Sequence, residues 1–427
     1  MQKDNPRIAI IGAGCSGITT IKNLAEAGLT NLVCFEQNDQ IGGNWIFSPK
    51  ISHSSVCETT HIISSKKLSE YLDYPMPEHY PDYPSHTQLL AYFQSYAQTF
   101  DIEQYIRFNT KVSSVVKNQN ETWTITPENG NPEKFDFLLV ANGHHSEPRI
   151  PEFSGHFSGK IMHSHEYKTS APFKDQRVLI VGMGNSACDC AVEISRVADF
   201  VAISQRHAQY VIPKFMMGKP TDIFNETTEK LPRFMRGFFQ KLGLYLQVGS
   251  YKNYGLLTPK HGPTDSHPTV NSELLYKIRH GKVHPRRGIE SFDKHAVQFT
   301  DGQTEDYDTI ILATGYKIAT PFFDPNFLDY SDADRVPLYL RMFHPTHPSL
   351  IFIGLFQPQG AIWPASDAQA RLAAKYISGK WTMPENIAAL AEQDSDEIER
   401  LFLKEKRHTI EVNYNEFMGR LREELRS

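Results

Sequence analysis

Two segments of this sequence, one at the N-terminus and one nearer the middle, place a glycine-rich turn directly after an apolar run. Ile8–Ile11 precedes GAGCSG (Gly12–Gly17), and Arg177–Val181 precedes GMGNSA (Gly182–Ala187). Short apolar runs rich in β-branched residues are typical of strands buried on both faces of a parallel sheet. Helix-like sequence follows each turn, so backbone N–H groups and the helix dipole can bind a pyrophosphate there. The pattern predicts two dinucleotide-binding units.

Composition excludes several other classes of protein. The 427 residues carry a net charge of −5 and include five cysteines, none of them in a C-x-x-C pair. A disulfide scaffold and a metal site are therefore not expected, and no basic surface is available for nucleic acid. The N-terminus lacks a signal-peptide pattern, and no apolar run reaches the roughly 18 residues that a membrane span needs. We expect a cytoplasmic protein.

The first unit carries an acid where its second strand ends. Leu32–Phe35 is followed by Glu36, whose carboxylate can accept hydrogen bonds from ribose hydroxyls and disfavours a 2′-phosphate. This suits FAD or NAD better than NADP. A second close backbone approach, of a kind frequent in FAD-binding proteins, follows in the sequence GGNW. The residues predicted to bind this nucleotide are Gly12, Gly14, Gly17, Glu36, Gly43, Asn44 and Trp45.

The second unit carries a cation at the corresponding position. Phe200–Ser204 is followed by Gln205, Arg206 and His207, and a guanidinium can form two hydrogen bonds with phosphate oxygens. NADPH is therefore predicted rather than NADH, and the two sites together indicate FAD and NADPH in one chain. The residues predicted to bind NADPH are Gly182, Gly184, Asn185, Ser186, Arg206 and His207.

The predicted fold class is α/β, with two Rossmann-like dinucleotide-binding domains. Further strand-like runs, Thr309–Leu312 and Leu350–Ile353, follow the second unit. The most economical layout inserts the NADP-binding domain into the FAD-binding domain. We place the first part of the FAD domain at 1–165 and the NADP domain at 166–318. The second part of the FAD domain, with the C-terminal helices, is placed at 319–427.

The stretch between the two units resembles the identifying sequence of flavin-containing monooxygenases. Phe157, Gly159, His163 and Tyr167 give the spacing F-x-G-x-x-x-H-x-x-x-Y. The two glycine turns, GGNW, YPDYPSH (Tyr80–His86) and ATGY (Ala313–Tyr316) also occur in the order of that family and span nearly the whole chain. The chain therefore resembles a soluble, bacterial-type member of the class B flavoprotein monooxygenases.

The resemblance implies a reaction sequence in which the cofactors carry the chemistry. NADPH reduces the flavin, O2 adds to form a C4a-hydroperoxide, and a soft nucleophile attacks the distal oxygen. The substrates implied are small amines, such as N,N-dimethylaniline, or sulfides, together with O2. The resemblance also assigns cofactor contacts to His86, Thr314, Gly315 and Gln357.

One position departs from the family pattern. Many members carry Thr-Asn before a Ser-Ser-Lys stretch, and that Asn lies near the flavin; here the sequence is HIISSK, with Ile63 at the Asn position. A one-residue slip in the alignment, or a donor from His61 or Ser64, would be an alternative. On the family pattern, Ile63, Ser64 and Tyr167 are predicted to lie in the catalytic site.

Two other enzyme classes fit the sequence less well. Baeyer–Villiger monooxygenases, which oxidise ketones, usually have Trp where this chain has Tyr167. A pyridine-nucleotide disulfide reductase would need C-x-x-C, whereas Cys188 and Cys190 are separated by one residue.

The basic amphipathic segment Leu231–Val248 is interpreted as a lid or a homodimer surface rather than a membrane-surface helix. No apolar C-terminal anchor is expected.

Overall fold

The computed structural model describes residues 5–226, 232–263, 266–402 and 409–427. The chain divides into two compact units. The first contains Met1–Phe47, Lys66–Glu147 and Lys317–Ser427, and the second contains Ser48–Ser65 and Pro148–Tyr316. The sequence placed the domain boundaries after residues 165 and 318, whereas the units divide after Glu147 and Tyr316. The sequence also did not anticipate that residues 48–65 belong to the second unit.

The first unit is built on a five-stranded parallel sheet. Its strands lie in the order Leu350–Phe352, Phe137–Val140, Ile8–Ile11, Leu32–Phe35 and Ile106–Arg107. All four residues of Ile8–Ile11 are buried, as expected for a central strand covered on both faces. The helices of this unit are Cys15–Glu26, Lys66–Ser69, His86–Thr99, Trp363–Ile377, Ile387–Leu401 and Tyr414–Arg426.

A small antiparallel sheet joins the same unit. Its strands are Val112–Lys117, Trp123–Pro127 and Glu133–Phe135. The apolar run Phe135–Val140 is interrupted, because one strand ends at Phe135 and another begins at Phe137. The cause is Asp136, whose N–H donates to the Arg7 carbonyl at 2.7 Å and whose carboxylate accepts from the Arg7 N–H at 2.9 Å.

A buried carboxylate joins the helix after the first glycine turn to helix Trp363–Ile377. Asp367 accepts hydrogen bonds from the Thr19 hydroxyl at 2.6 Å and from the Asn23 amide at 2.7 Å. Its other oxygen accepts from Arg371 Nε at 2.8 Å. A fully buried carboxylate needs such partners, because an unpaired charge in an apolar interior is strongly unfavourable. The network therefore sets the orientation of helix Cys15–Glu26, whose N-terminus faces the glycine turn.

The second unit repeats the architecture of the first. Its parallel sheet has the order Lys160–His163, Thr309–Leu312, Arg177–Val181, Phe200–Ser204 and His284–Arg286. A second sheet contains Thr304–Asp306, Ala296–Phe299, Ile289–Lys294 and Ser154–Phe157. The helices are Asn185–Ile194, Thr221–Glu226, Arg233–Val248 and Leu274–Arg279. The prediction of an α/β fold with two dinucleotide-binding domains is confirmed.

Helix Arg233–Val248 covers most of the predicted amphipathic segment, whose first residue, Leu231, lies outside the described residues. Four of its apolar side chains, Phe238, Leu242, Tyr245 and Leu246, are exposed. Their spacing places them on one face of the helix. Among the described helices, none combines the length and the hydropathy that crossing a bilayer requires.

Candidate functional site

The first glycine turn is held in shape by contacts that leave no room for side chains at two of its glycines. Gly12 has φ of +98°, and a Cβ there would lie 2.7 Å from the Ala141 carbonyl oxygen. A Cβ on Gly17 would lie 1.9 Å from the Gly12 carbonyl oxygen. These two glycines are therefore required for strand Ile8–Ile11 and the following helix to approach each other.

Gly14 differs, because the protein itself does not fill the space beside it. A Cβ at this position would contact only the backbone of Gly43, at 3.5 Å from its Cα. The open space lies at the N-terminus of helix Cys15–Glu26, where unpaired N–H groups and the helix dipole favour an anion. The turn therefore fits a pyrophosphate, with Gly14 as the point of closest approach.

A second turn lies directly against the first. The 3-10 turn Gly43–Trp45 packs so closely that a Cβ on Gly43 would lie 2.9 Å from the Gly14 Cα. The Trp45 ring meets Trp363 edge-on, with 5.7 Å between the ring centroids. The GGNW sequence thus packs against the first glycine turn, and its approach to FAD stays a prediction.

Glu36 bonds to the glycine turn as well as ending its strand. One carboxylate oxygen accepts from the Ala13 N–H at 2.7 Å, and the other accepts from the Asn38 N–H at 2.8 Å and the Asn38 amide at 2.6 Å. The side chain is only 3% exposed. A carboxylate can accept about four hydrogen bonds, so one position remains for a ribose hydroxyl.

Two further predicted residues of this unit are held by partners that the sequence did not indicate. His86 begins helix His86–Thr99, which Ser85 caps, and its ring lies 5.2 Å from that of Phe47. The Gln357 side-chain oxygen lies 3.1 Å from His144 Nε2. The sequence gave His144 no role, because its partner is 213 positions away. Burial lowers the pKa of His144, which keeps the ring neutral at pH 7.

In the second glycine turn, as in the first, one glycine is required by close packing and another borders open space. A Cβ on Gly182, where φ is +127°, would lie 2.5 Å from the Ala313 carbonyl oxygen, whereas a Cβ on Gly184 would meet nothing within 4 Å. Ser186 is exposed in the first turn of the helix. Asn185 is already engaged, because its side-chain oxygen accepts from the Val270 N–H at 2.7 Å.

Arg206 lies at the end of strand Phe200–Ser204 with its charge uncompensated. The side chain is exposed and, within the described residues, has no hydrogen-bond or ion-pair partner; His207 beside it is also exposed. The backbone of a second arginine, Arg287, comes near through the edge strand, since the Ser204 hydroxyl donates to its carbonyl at 2.7 Å. The Arg287 guanidinium donates to the Gly255 carbonyl at 3.1 Å.

The residues of the identifying motif lie in or beside the core of the second unit. Tyr167 is buried and packs on Phe173, with 5.8 Å between ring centroids, and burial raises its pKa. His163 contacts the ring of Tyr316, and burial lowers its pKa to about 4. Its Nδ1 accepts from the His165 N–H at 3.1 Å, which requires that nitrogen to be unprotonated. Tyr167 therefore contributes packing, and its placement in the catalytic site stays a prediction.

The other predicted site residues of the second unit are less buried. Ile63 and Ser64 are half-buried in the stretch 48–65 that belongs to this unit. The Thr314 hydroxyl donates to the Arg149 carbonyl at 2.5 Å, and Gly315 follows it at the end of strand Thr309–Leu312. Within the described residues, no cluster of His, Cys, Asp or Glu could hold a metal ion.

Comparison with known proteins places the whole chain in one family. A family model for flavin-binding monooxygenase-like proteins matches residues 5–427. Flavin-containing monooxygenase 5 of Rattus norvegicus is 35% identical over 96% of this chain and 81% of its own length. Dimethylaniline monooxygenase [N-oxide-forming] 2 of the same species is 32% identical over 98% of this chain and 82% of its own length.

A solved structure shows the same relationship. The S-allyl-L-cysteine S-oxygenase of Allium sativum superposes with a TM-score of 0.74 at 25% identity, covering 100% of this chain and 89% of its own. The identification with the flavin-containing monooxygenase family is confirmed, and so is the prediction that the enzyme uses FAD and NADPH. The chain belongs to the flavin-binding monooxygenase family.

Proposed function

We propose that this enzyme transfers one oxygen atom of O2 to a soft nucleophile, an amine nitrogen or a sulfide sulfur, of a small molecule. The observation that carries the proposal is the contrast between the two nucleotide sites. The Glu36 carboxylate, bonded to the first glycine turn, would accept from one ribose, and the uncompensated charge of Arg206 would face the ribose phosphate of the other nucleotide. When bound, NADPH supplies the electrons and FAD supplies the activation of O2.

The residues of the first unit would hold FAD through its pyrophosphate and one ribose. Gly14 leaves open space at a helix N-terminus, and Gly43 supports the turn from the other side. Glu36 keeps one lone-pair position for a hydroxyl group while it fixes the turn through Ala13. Asn44, Trp45, His86 and Gln357 are proposed to complete this site. In this arrangement the chain binds and orients the flavin and supplies no acid or base.

The residues of the second unit would hold NADPH. Gly184 offers the corresponding open space, and Arg206 would form a charge-assisted contact with the 2′-phosphate. Arg287 is proposed as a second cation, because its neighbour Gly288 lies close to Arg206: a Cβ on Gly288 would be 3.7 Å from the Arg206 Cα. Asn185 would act indirectly, by tying Val270 to the turn. Ser186, His207, Thr314 and Gly315 are proposed to complete the site.

Ile63, Ser64 and Tyr167 are proposed to shape the reacting site rather than to move protons. An alkyl side chain at position 63 excludes water but donates no hydrogen bond, so a neighbouring group such as Ser64 would have to supply any donor. The relatives' names support this substrate class, since one is described as N-oxide-forming and another as an S-oxygenase.

The test compares two substrates of matched size, a six-membered cyclic thioether and cyclohexanone. With NADPH, O2 and catalase present to remove free peroxide, we expect sulfoxide to form and lactone to form more slowly or not at all. A ketone carbonyl carbon is electrophilic and needs a nucleophilic oxidant, whereas a sulfide sulfur is itself a nucleophile and needs an electrophilic one. If lactone forms faster than sulfoxide, the enzyme oxidises ketones and the proposal is wrong.

We also propose that the enzyme works in the cytoplasm, as a homodimer. Five free thiols, three of them buried, are suited to a reducing compartment. The exposed apolar face formed by Phe238, Leu242, Tyr245 and Leu246 is of the kind that partner subunits cover. Light scattering after gel filtration should give a dimer for the wild type and a monomer for Leu246→Glu. A wild-type monomer would refute this part of the proposal.

A further inference from the structure

Residues 52–58, here called the strap, are held on the second unit by two side chains that follow His163 in the chain. His165 Nε2 donates to the Ser52 carbonyl at 2.7 Å. Lys168 Nζ donates to the Ser54 carbonyl at 2.6 Å and the Val56 carbonyl at 3.3 Å. The strap itself donates the fourth bond, from the Glu58 N–H to the Lys168 carbonyl at 2.9 Å. Side chains therefore supply three of these four bonds.

The burial of these groups makes the arrangement unusual. Lys168 and His165 are each 6% exposed, and Ser54 is fully buried. Moving an ammonium group out of water is unfavourable, and burial lowers the pKa of Lys168 accordingly. An apolar side chain would fill the same space without that penalty. Unlike an apolar side chain, the lysine fixes the strap at two defined points, because its ammonium group binds the Ser54 and Val56 carbonyls at once.

The strap leads directly to the two positions proposed to shape the reacting site. Beyond Glu58 the chain turns, with the Thr60 N–H donating to the Cys57 carbonyl at 3.1 Å, and then passes through Ile63 and Ser64. A second anchor follows at once, because the Ser65 N–H donates to a carboxylate oxygen of Asp222 at 2.5 Å. Ile63 and Ser64 thus lie in a short stretch fixed at both ends.

We propose that Lys168, together with His165, is a positioning residue that holds the strap and thereby sets the location of Ile63 and Ser64. This inference rests on the proposed function for the role of those two positions, but the holding of the strap does not depend on it. The Lys168 ammonium group is bonded to the backbone carbonyls of Ser54 and Val56, so its effect passes through the strap.

The first test measures hydrogen exchange of the strap amides in the full-length protein. Lys168→Met keeps the apolar stem and removes both hydrogen bonds, so exchange across 52–65 should accelerate about tenfold or more. Strands Ile289–Lys294 and Ala296–Phe299 should keep their protection, because they pack in a different core cluster from the one that Cys57 of the strap contacts. Lys174→Met is the matched control, since Lys174 is exposed on the same stretch of chain.

The second test measures how much NADPH ends in hydrogen peroxide instead of product. Lys168→Met should raise the peroxide formed per NADPH by about threefold or more and change the KM for NADPH little, because displaced groups at 63 and 64 expose the reacting site to water. His165→Gln keeps a side-chain N–H donor and should resemble the wild type. His165→Leu, which lacks a donor, should resemble Lys168→Met and replaces it if that variant does not fold.

The outcomes separate this inference from the proposed function. Wild-type exchange across 52–65 in both donor-less variants would overturn it. Faster exchange with unchanged peroxide would also overturn it, since holding the strap would then have no effect on the reacting site. A wild-type enzyme that oxidises neither thioether nor amine would refute the proposed function, while the exchange measurements would still decide whether Lys168 holds the strap.

Discussion

Replacing Gly14 by alanine should weaken FAD binding while leaving the fold intact. The backbone at Gly14 has φ of −75° and ψ of −173°, an extended conformation that alanine adopts without strain. Its new Cβ would touch only Gly43, at an ordinary 3.5 Å. The same methyl group would occupy the space proposed for the pyrophosphate. The substitution should therefore affect FAD binding without affecting the stability of the fold.

The size of both effects can be worked out from these contacts. Alanine is a poorer N-cap than glycine, which destabilises the folded protein by about 1 kcal/mol. Alanine also restricts the unfolded chain more than glycine does, which stabilises the folded protein by about 0.4–1 kcal/mol. The free energy of unfolding of the apoprotein should therefore change by less than about 1 kcal/mol. Losing one charge-assisted backbone hydrogen bond to a phosphate oxygen costs about 1.5–3 kcal/mol, which raises the Kd for FAD by about ten- to a hundredfold.

The assay is a titration of each apoprotein with FAD, followed by quenching of flavin fluorescence, with thermal unfolding measured alongside. Gly17→Ala is the destabilised control, because its Cβ would lie 1.9 Å from the Gly12 carbonyl oxygen. Gly184→Ala is the matched control in the second unit and should weaken NADPH but leave the Kd for FAD unchanged. Wild-type FAD affinity in Gly14→Ala, or unfolding as early as in Gly17→Ala, would refute the reasoning.

Three further expectations follow from the same structure. Arg206→Ala should raise the KM for NADPH about ten- to a hundredfold, by loss of a charge-assisted contact, with little change for NADH; equal effects would refute its role. Ile63→Asn should lower the peroxide released by reduced enzyme without substrate, because an amide donor is restored, and an unchanged yield would contradict this. His163 has its pKa lowered to about 4, so its contribution to stability is present above about pH 6.5 and is lost as the pH falls toward 4. Acid unfolding should therefore depend less on pH in His163→Gln than in the exposed control His156→Gln.

The strands and turns of the two nucleotide sites were predictable because their signals are local. Ile8–Ile11 and Phe200–Ser204 have the predicted bounds, since an apolar run ending in glycine or a polar residue reports burial directly. The split at Asp136 was not predictable, because it depends on Arg7, which lies 129 positions away in the sequence.

In the candidate site, too, local signals were predictable from the sequence and long-range contacts were not. Glu36 was identified by its position after a strand, and the fold places its carboxylate on the Ala13 N–H of the first glycine turn. Arg206 was identified in the same way, and Ser204, two residues before it, accepts from the Gly182 N–H at 3.0 Å. The hydrogen bonds of His144 and of Lys168 could not be foreseen, since each joins residues more than 100 positions apart. Such partners leave no periodicity or spacing in the sequence, and only the folded backbone brings them together.

The network around Asp367 has a consequence for the order in which the protein can fold during synthesis. Its bond from Thr19 joins residues 348 positions apart, so the N-terminal glycine turn is made long before the helix that orients it. At about 5–20 residues per second, the ribosome needs on the order of 20–70 s to cover that distance. The parallel sheet of the second unit is complete by Leu312, well before Asp367 emerges. The first unit is therefore the last to be completed, and helix Cys15–Glu26 lacks its partner helix Trp363–Ile377 until that helix has emerged.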